Sequence, residues 1–236
     1  MKKWESRSFC GFLRKTGENE RFDILSQYFK DMKPSSSYEI LAKLIEEGYF
    51  RMILTTNFDF MLEESLRKTG LVLNRDYFLC IVGAEKEDVL VKKLEDESMI
   101  RIVKLHGDYK AKILPFTDEE TFKFKIGLCE CLRRLTAKGI IFVGYSGMDR
   151  DILSCFSSKG ESLWWINPRK VTSDKNIAAK NPGEYRLNER IYRILLNRNS
   201  HENFLWGENG ESDFFFNKIF MEVIERDIDS FCELSI

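Results

Sequence analysis

Four short apolar runs punctuate this chain, and each ends in small polar residues. They are Arg51-Met-Ile-Leu-Thr-Thr56-Asn57-Phe-Asp59, Ile102-Val-Lys-Leu-His106-Gly107-Asp108, Ile140-Ile-Phe-Val-Gly144-Tyr-Ser146 and Ser162-Leu-Trp-Trp-Ile-Asn167-Pro168. Short apolar runs rich in β-branched and aromatic residues, bounded by turn residues, predict strands at 51–56, 100–105, 140–143 and 163–166. A weaker extended stretch covers 71–82, with a strand around Tyr77–Val82.

Between the strands the apolar spacing changes to that of helices. Phe22, Leu25 and Phe29 fall on one face of a short helix, and Pro34-Ser-Ser-Ser37 then breaks the chain. Ser36 and Glu39 have capping-box spacing, Ile40, Leu41, Leu44 and Ile45 follow, and Gly48 is the stop. Asp59 caps a helix from Phe60 to about Lys68, ended by Gly70. The highly charged stretch 83–98 reads as a surface connection. Thr117 and Glu120, again at capping-box spacing, open a long helix to about Ala137. Asp149 caps a short helix with Ile152, Leu153 and Phe156. After Pro168 the chain is polar to about Asn188. Helical spacing returns at Ile191, Ile194 and Leu195. A last helix from about Asp213 to Ile228 turns Phe215, Ile219, Phe220 and Val223 inward.

Strands alternating with helices predict an α/β fold with a mostly parallel sheet. Right-handed crossovers then set the four polar motifs along one edge. Open α/β sheets bind ligands at that carboxyl edge, so the motifs predict one polar cleft.

Composition narrows the function classes. With 37 basic and 38 acidic residues the net charge is −1, which provides no electrostatic footprint for nucleic acid or an anionic membrane. A hydrophobic share of 43% supports a buried core. No apolar run approaches the roughly 20 residues of a membrane span, and the N-terminus leads into no signal-like stretch, so the expected compartment is cytoplasm. The six cysteines, Cys10, Cys80, Cys129, Cys131, Cys155 and Cys232, form no C-x-x-C pair and are expected to be free thiols without zinc. No two glycines stand in G-x-G spacing, so neither a dinucleotide loop nor a P-loop is present.

Three motifs offer chemistry. The Asn57 amide both donates and accepts, suiting it to a ribose hydroxyl or a water. His106 is one of two histidines. It follows an apolar strand and precedes Gly107, which permits close backbone approach by a ligand, whereas His201 lies in a polar stretch expected at the surface. His106 is therefore the side chain placed to act as a base near neutral pH. The Gly144-Tyr-Ser146-Gly147 turn, followed by the helix start at Asp149, suits a phosphate or ribose bound through backbone N–H groups.

In this order the motifs resemble the sirtuin-like superfamily, in particular the prokaryotic sirtuin-like domains of anti-phage defence proteins. The strings Thr-Thr-Asn-Phe-Asp, Leu-His-Gly-Asp and Phe-Val-Gly-Tyr-Ser-Gly-Met-Asp carry the resemblance over about residues 36–170. It implies a Rossmann-like three-layer sandwich. True deacylases place two C-x-x-C pairs after the histidine. Here Gly144 lies 38 positions after His106, and the interval holds only Cys129 and Cys131, so the zinc ribbon is missing. By resemblance, Asn57 and His106 match the catalytic pair. Thr56 and Gly107 flank them in the NAD site, and Asp59 matches a nicotinamide-pocket or structural acid. Gly144 and Ser146 match the turn on the adenosine side of NAD, and Asn167 its ribose contact.

The resemblance implies NAD as substrate, hydrolysed to nicotinamide and ADP-ribose, and a homo-oligomer or a defence-system partner protein. The family's opening Gly-Ala-Gly-x-Ser phosphate loop has no counterpart here. Residues 1–170 are thus expected to be an N-terminally truncated NAD-binding domain, and 171–236 its helical completion or appendage. The missing loop leaves a second reading open, a catalytically incompetent remnant or interaction module. A third is an NAD-dependent deacylase.

Overall fold

The computed structural model of the chain describes residues 13, 15–115, 124–145, 147, 149–168, 171–172, 185–186, 194–200, 203–205 and 207–233. They fall into two compact units, Met1–Lys123 and Phe124–Ile236.

The first unit runs α1 (Glu18–Phe29), α2 (Ser36–Glu46), β1 (Met52–Thr55), α3 (Met61–Thr69), β2 (Tyr77–Ile81), α4 (Glu87–Glu95) and β3 (Ile100–Lys104). Its sheet is parallel throughout, in the order β1-β3-β2, with Thr55 opposite Lys104 and Ile81 opposite the same residue. Side chains alternate across a strand. Ile100 and Ile102 of β3 therefore join Tyr77 of β2 on one face, against Ala42 and Ile45 of α2 and Leu62 and Leu66 of α3. Arg101 points the other way, and its Nη1 donates to the Leu94 carbonyl of α4 at 3.1 Å. Helices on both faces of a parallel sheet make the three-layer α/β sandwich that the alternation of elements predicts.

Two expectations need correction in this unit. Residues 83–98 are not a surface connection, because α4 occupies their middle. Its charges mask a narrow apolar contact, the i, i+4 pair Leu90 and Leu94, which are 2% and 0% exposed. Capping of α2 also differs. The N-cap is Ser35, without a side-chain capping bond, and Glu39 instead pairs with Lys68 of α3 at 2.5 Å. α3 ends at Gly70 as expected.

The second unit holds α5 (Ile126–Leu135), β4 (Ile140–Val143), α6 (Arg150–Ser154), β5 (Leu163–Ile166), β6 (Val171–Thr172), β7 (Tyr185–Arg186), β8 (Phe204–Leu205), a 3-10 turn at Gly207–Gly210 and α7 (Ser212–Glu233). β4, β5 and β8 form a parallel sheet in that order, and β6 pairs with β7 in parallel. β6, β7 and β8 are absent from the sequence reading, because two-residue strands leave no periodicity to detect. α5 starts at Ile126 after extended Lys125, later than the Thr117–Glu120 signal, which lies outside the described residues, as do Ser146, Ile191 and His201.

Trp165 of β5 is fully buried, its ring 4.8 Å from that of Phe142 in β4. Arg198 is buried too. Its Nη2 donates to the carbonyls of Thr136 at 2.5 Å and Ser157 at 2.7 Å, tying the end of α5 to the loop after α6. Contrary to the expectation of free thiols, Cys129 and Cys155 are joined as a disulfide with Cα atoms 4.5 Å apart, while Cys80 is a free thiol and both Cys80 and Cys131 are buried. A pairing across 26 residues depends on how α5 meets α6, which spacing in sequence does not encode. No helix among the described residues is long and apolar enough to cross a membrane.

If α4 is a packed layer, Leu94→Ala should lower stability by about 2–5 kcal/mol, the range for a buried leucine truncation. Urea unfolding checks this, and a loss under about 0.5 kcal/mol, typical of a surface position, contradicts the packing.

Candidate functional site

The site residues of the first unit are set by the β1–β3 register. Thr55 lies opposite Lys104, and the Leu105 N–H donates to the Thr55 carbonyl at 2.9 Å. Asn57 follows the end of β1 by two residues and His106 follows the end of β3 by two. Both therefore leave the same carboxyl edge from neighbouring strands, which run about 4.8 Å apart in a sheet. The loops are stitched once more beyond them, where the Tyr109 N–H donates to the Phe58 carbonyl at 2.8 Å. Asn57 is exposed, and Thr56 and His106 are half-buried.

Beneath this edge sits a charged group that the sequence reading left unassigned. Lys104, the last residue of β3, is 1% exposed. Its ammonium donates to the Asp59 carbonyl at 2.5 Å, to Glu63 Oε1 of α3 at 2.6 Å and to Asp108 Oδ2. One buried cation thus joins the turn after β1, the first turn of α3 and the loop after β3. Asp108 also accepts the Ala111 N–H on its other oxygen at 2.7 Å. Removal from water raises the Glu63 carboxyl above its ordinary value, against the pull of Lys104. Its Oε2 is buried and, among the described residues, finds no hydrogen-bond donor. The signal in sequence was a lysine inside an apolar run, with acids four residues after it and four after Asp59.

A second unassigned residue is Tyr38, in the first turn of α2. Its hydroxyl donates to Asp59 Oδ2 at 3.4 Å and accepts from Asn57 Nδ2 at 2.8 Å. Burial, reinforced by the Asp59 charge, pushes the Tyr38 phenol up to about 12, so it keeps its proton at neutral pH. The N-cap of α3 is Phe60, one residue later than expected, and Asp59 Oδ1 accepts the Met61 N–H at 2.9 Å from the position before it.

Gly107 has φ +81°, and a Cβ there would lie 2.2 Å from the Ile113 carbonyl oxygen. The backbone that comes close to Gly107 is the chain's own, where Asp108 and Ile113 exchange two hydrogen bonds at 2.8 and 3.0 Å.

α1 covers the same loops with aromatic rings. Phe22 stacks on Tyr109 at 4.9 Å, Phe29 meets Tyr109 and Phe58 edge-on at 4.8 and 5.9 Å, and the Ser26 and Tyr109 hydroxyls lie 2.7 Å apart.

In the second unit, Gly144 and Asn167 also share a carboxyl edge. Val143 is opposite Ile166, and the Gly144 N–H donates to the Ile166 carbonyl at 2.9 Å. Gly144 is exposed with φ +66°, and nothing lies within 4 Å of where its Cβ would be, so the turn is open on that side. Asn167 is only 7% exposed. Its backbone carries β8, its N–H donating to the Leu205 carbonyl at 3.0 Å. Among the described residues no group of three or more His, Cys, Asp or Glu is arranged to hold a metal ion.

The family model described as a SIR2-like domain matches residues 51–171, an interval that contains both edge pairs. The chain is also 25% identical over 180 residues to an ORC1-type DNA replication protein of Picrophilus torridus, covering 71% of this chain and 44% of that protein. It therefore spans less than half the length of that relative.

Replacing Lys104 by Met strands two buried carboxyls. The expected loss is about 3–5 kcal/mol, the cost of removing one partner of a buried ion pair, read by urea unfolding. A second test concerns Glu63, whose folded pKa is raised. Its stability contribution is fully present below the ordinary value of 4.5 and is lost as pH rises through the folded value. Glu63→Gln has no such loss, so its stability relative to wild type should improve as pH climbs from 4.5 toward neutrality. Unfolding curves across that range check the sign, and a trend in the other direction contradicts it.

Proposed function

Because the chain belongs to the SIR2-like domain family, we propose that it hydrolyses NAD to nicotinamide and ADP-ribose and, in its cell, acts in anti-phage defence by NAD depletion. The observation that carries this reading is that Asn57 and His106 each stand two residues beyond the carboxyl ends of neighbouring parallel strands. NAD is the substrate.

The chemistry suits such a pair. Nicotinamide leaves as a neutral molecule from a cationic pyridinium, so the leaving group needs no strong acid. The transition state is oxocarbenium-like, as in glycoside hydrolysis. His106 takes a proton from a ribose hydroxyl or from the attacking water, and Asn57 orients that same group. Thr56 and Gly107 flank the pair, and Asp59 sets the turn that presents Asn57. By resemblance, Gly144, Ser146 and Asn167 are assigned to the adenosine side. Assembly into a homo-oligomer or with a defence-system partner belongs to the same proposal.

The test is cleavage of a fluorogenic NAD analogue by the purified chain and by His106→Ala. A positioned base contributes about 10²–10⁴-fold in rate, so the variant should fall by that factor. A variant as fast as wild type removes His106 from the mechanism.

A further inference from the structure

The Tyr38 hydroxyl lies between the side chains of Asn57 and Asp59 and bonds to both. Asp59 is a carboxylate that accepts and cannot donate, so the hydrogen bond at 3.4 Å requires the Tyr38 proton to point toward Asp59 Oδ2. The phenol oxygen then faces Asn57 with lone pairs alone. Only the NH2 side of the amide can meet it, which is the contact at 2.8 Å. A flipped amide would draw the Tyr38 proton to its own oxygen and give up the contact with Asp59.

From this we infer that Tyr38 is a positioning residue that locks the Asn57 amide so that its Oδ1 faces outward as a hydrogen-bond acceptor. Asn57 on its own offers a donor and an acceptor, and among the described residues Tyr38 is the side chain that its amide meets; its backbone N–H is held by Thr55 Oγ1 at 3.0 Å. With the NH2 committed to Tyr38, the outward group takes a proton from its ligand. Under the NAD hydrolysis reading, on which the catalytic part rests, that ligand is the ribose hydroxyl or the attacking water. An outward acceptor orients a hydroxyl so that its oxygen is richer in electrons as the oxocarbenium forms. An outward NH2 would do the reverse. The phenol's high pKa supports the arrangement, since an ionised Tyr38 would have no proton for Asp59.

The sequence context explains why this contact survives. Tyr38 lies in the first turn of α2 and packs against the cluster of Ala42, Ile45, Leu62 and Leu66, so its ring is fixed by the same packing that fixes the helix. The hydroxyl at the ring's end then reaches the turn after β1 without a mobile side chain on either side.

The test uses the full chain and its Tyr38→Phe variant, which keeps the ring and its packing. One measurement follows the Asn57 side-chain NH2 pair by nitrogen-15 NMR, assigned by its loss in Asn57→Asp. In wild type one NH2 proton should be shifted from the solvent-exposed position and amide rotation slowed. In Tyr38→Phe the pair should move to ordinary exposed values while the rest of the spectrum is retained. The second measurement is NAD-analogue cleavage. kcat should fall about tenfold, the order of one lost hydrogen bond, with KM within about twofold, because Tyr38 does not itself touch substrate. An NH2 pair that is solvent-like in wild type, or unchanged in the variant, overturns the inference, as does an unaltered kcat. A wild-type chain that cleaves no NAD sinks the hydrolysis reading instead, and the NH2 pair still decides whether Tyr38 holds Asn57.

Discussion

The first unit is organised around one buried ammonium. Lys104 closes β3 at 1% exposure, and its three protons go to the Asp59 carbonyl, Glu63 and Asp108. A lone charge withdrawn from water is very costly, so it is tolerated only with its partners in place. That requirement fixes three segments against one another: the turn after β1, the start of α3 and the loop after β3. The first and third carry Asn57 and His106. The electrostatic demand of the core thus acts with the β1–β3 register to hold the loops that carry the two residues.

Around that knot the remaining contacts act on the same loops. α1 lays Phe22 and Phe29 over Tyr109, Phe58 lies edge-on to Phe29, and Lys110 sits 4.3 Å above the Phe60 ring. Edge-to-face pairs of this kind contribute beyond their buried area. Polar closure on one side and aromatic closure on the other leave Asn57 exposed and His106 half-buried. The second unit uses a similar device away from its carboxyl edge. There Arg198 binds the carbonyls of Thr136 and Ser157 while burial lowers its pKa, and Gly144 is left open at the other end of β4.

This sheet edge has polar features of its own. Three acidic residues, Asp59, Glu63 and Asp108, stand around Lys104, and each has a partner. Asp59 holds Met61 and Tyr38, Asp108 holds Lys104 and Ala111, and Glu63 faces Lys104 with its affinity for protons raised by burial.

Much of this was legible in the chain. Strands at 52–55, 100–104, 140–143 and 163–166 match apolar runs ended by polar residues, because a buried parallel strand must be apolar on both faces. The helices of 36–46 and 61–69 follow from apolar spacing and from Asp59 and Gly70 at their ends. The motifs themselves placed Asn57 and His106 at strand ends. α4, the Cys129–Cys155 disulfide and the paired strand β8 were not legible, since each depends on a partner distant in sequence. The same holds for Tyr38 and Lys104. A tyrosine in a first turn and a lysine in an apolar run have no chemical role until folding brings Asn57, Asp59, Glu63 and Asp108 to them. Local pattern determined the elements and the residues at their ends, because periodicity and capping act within a few positions. Tertiary structure alone decided which polar groups are buried together, because that depends on strand order and register, which no local pattern encodes.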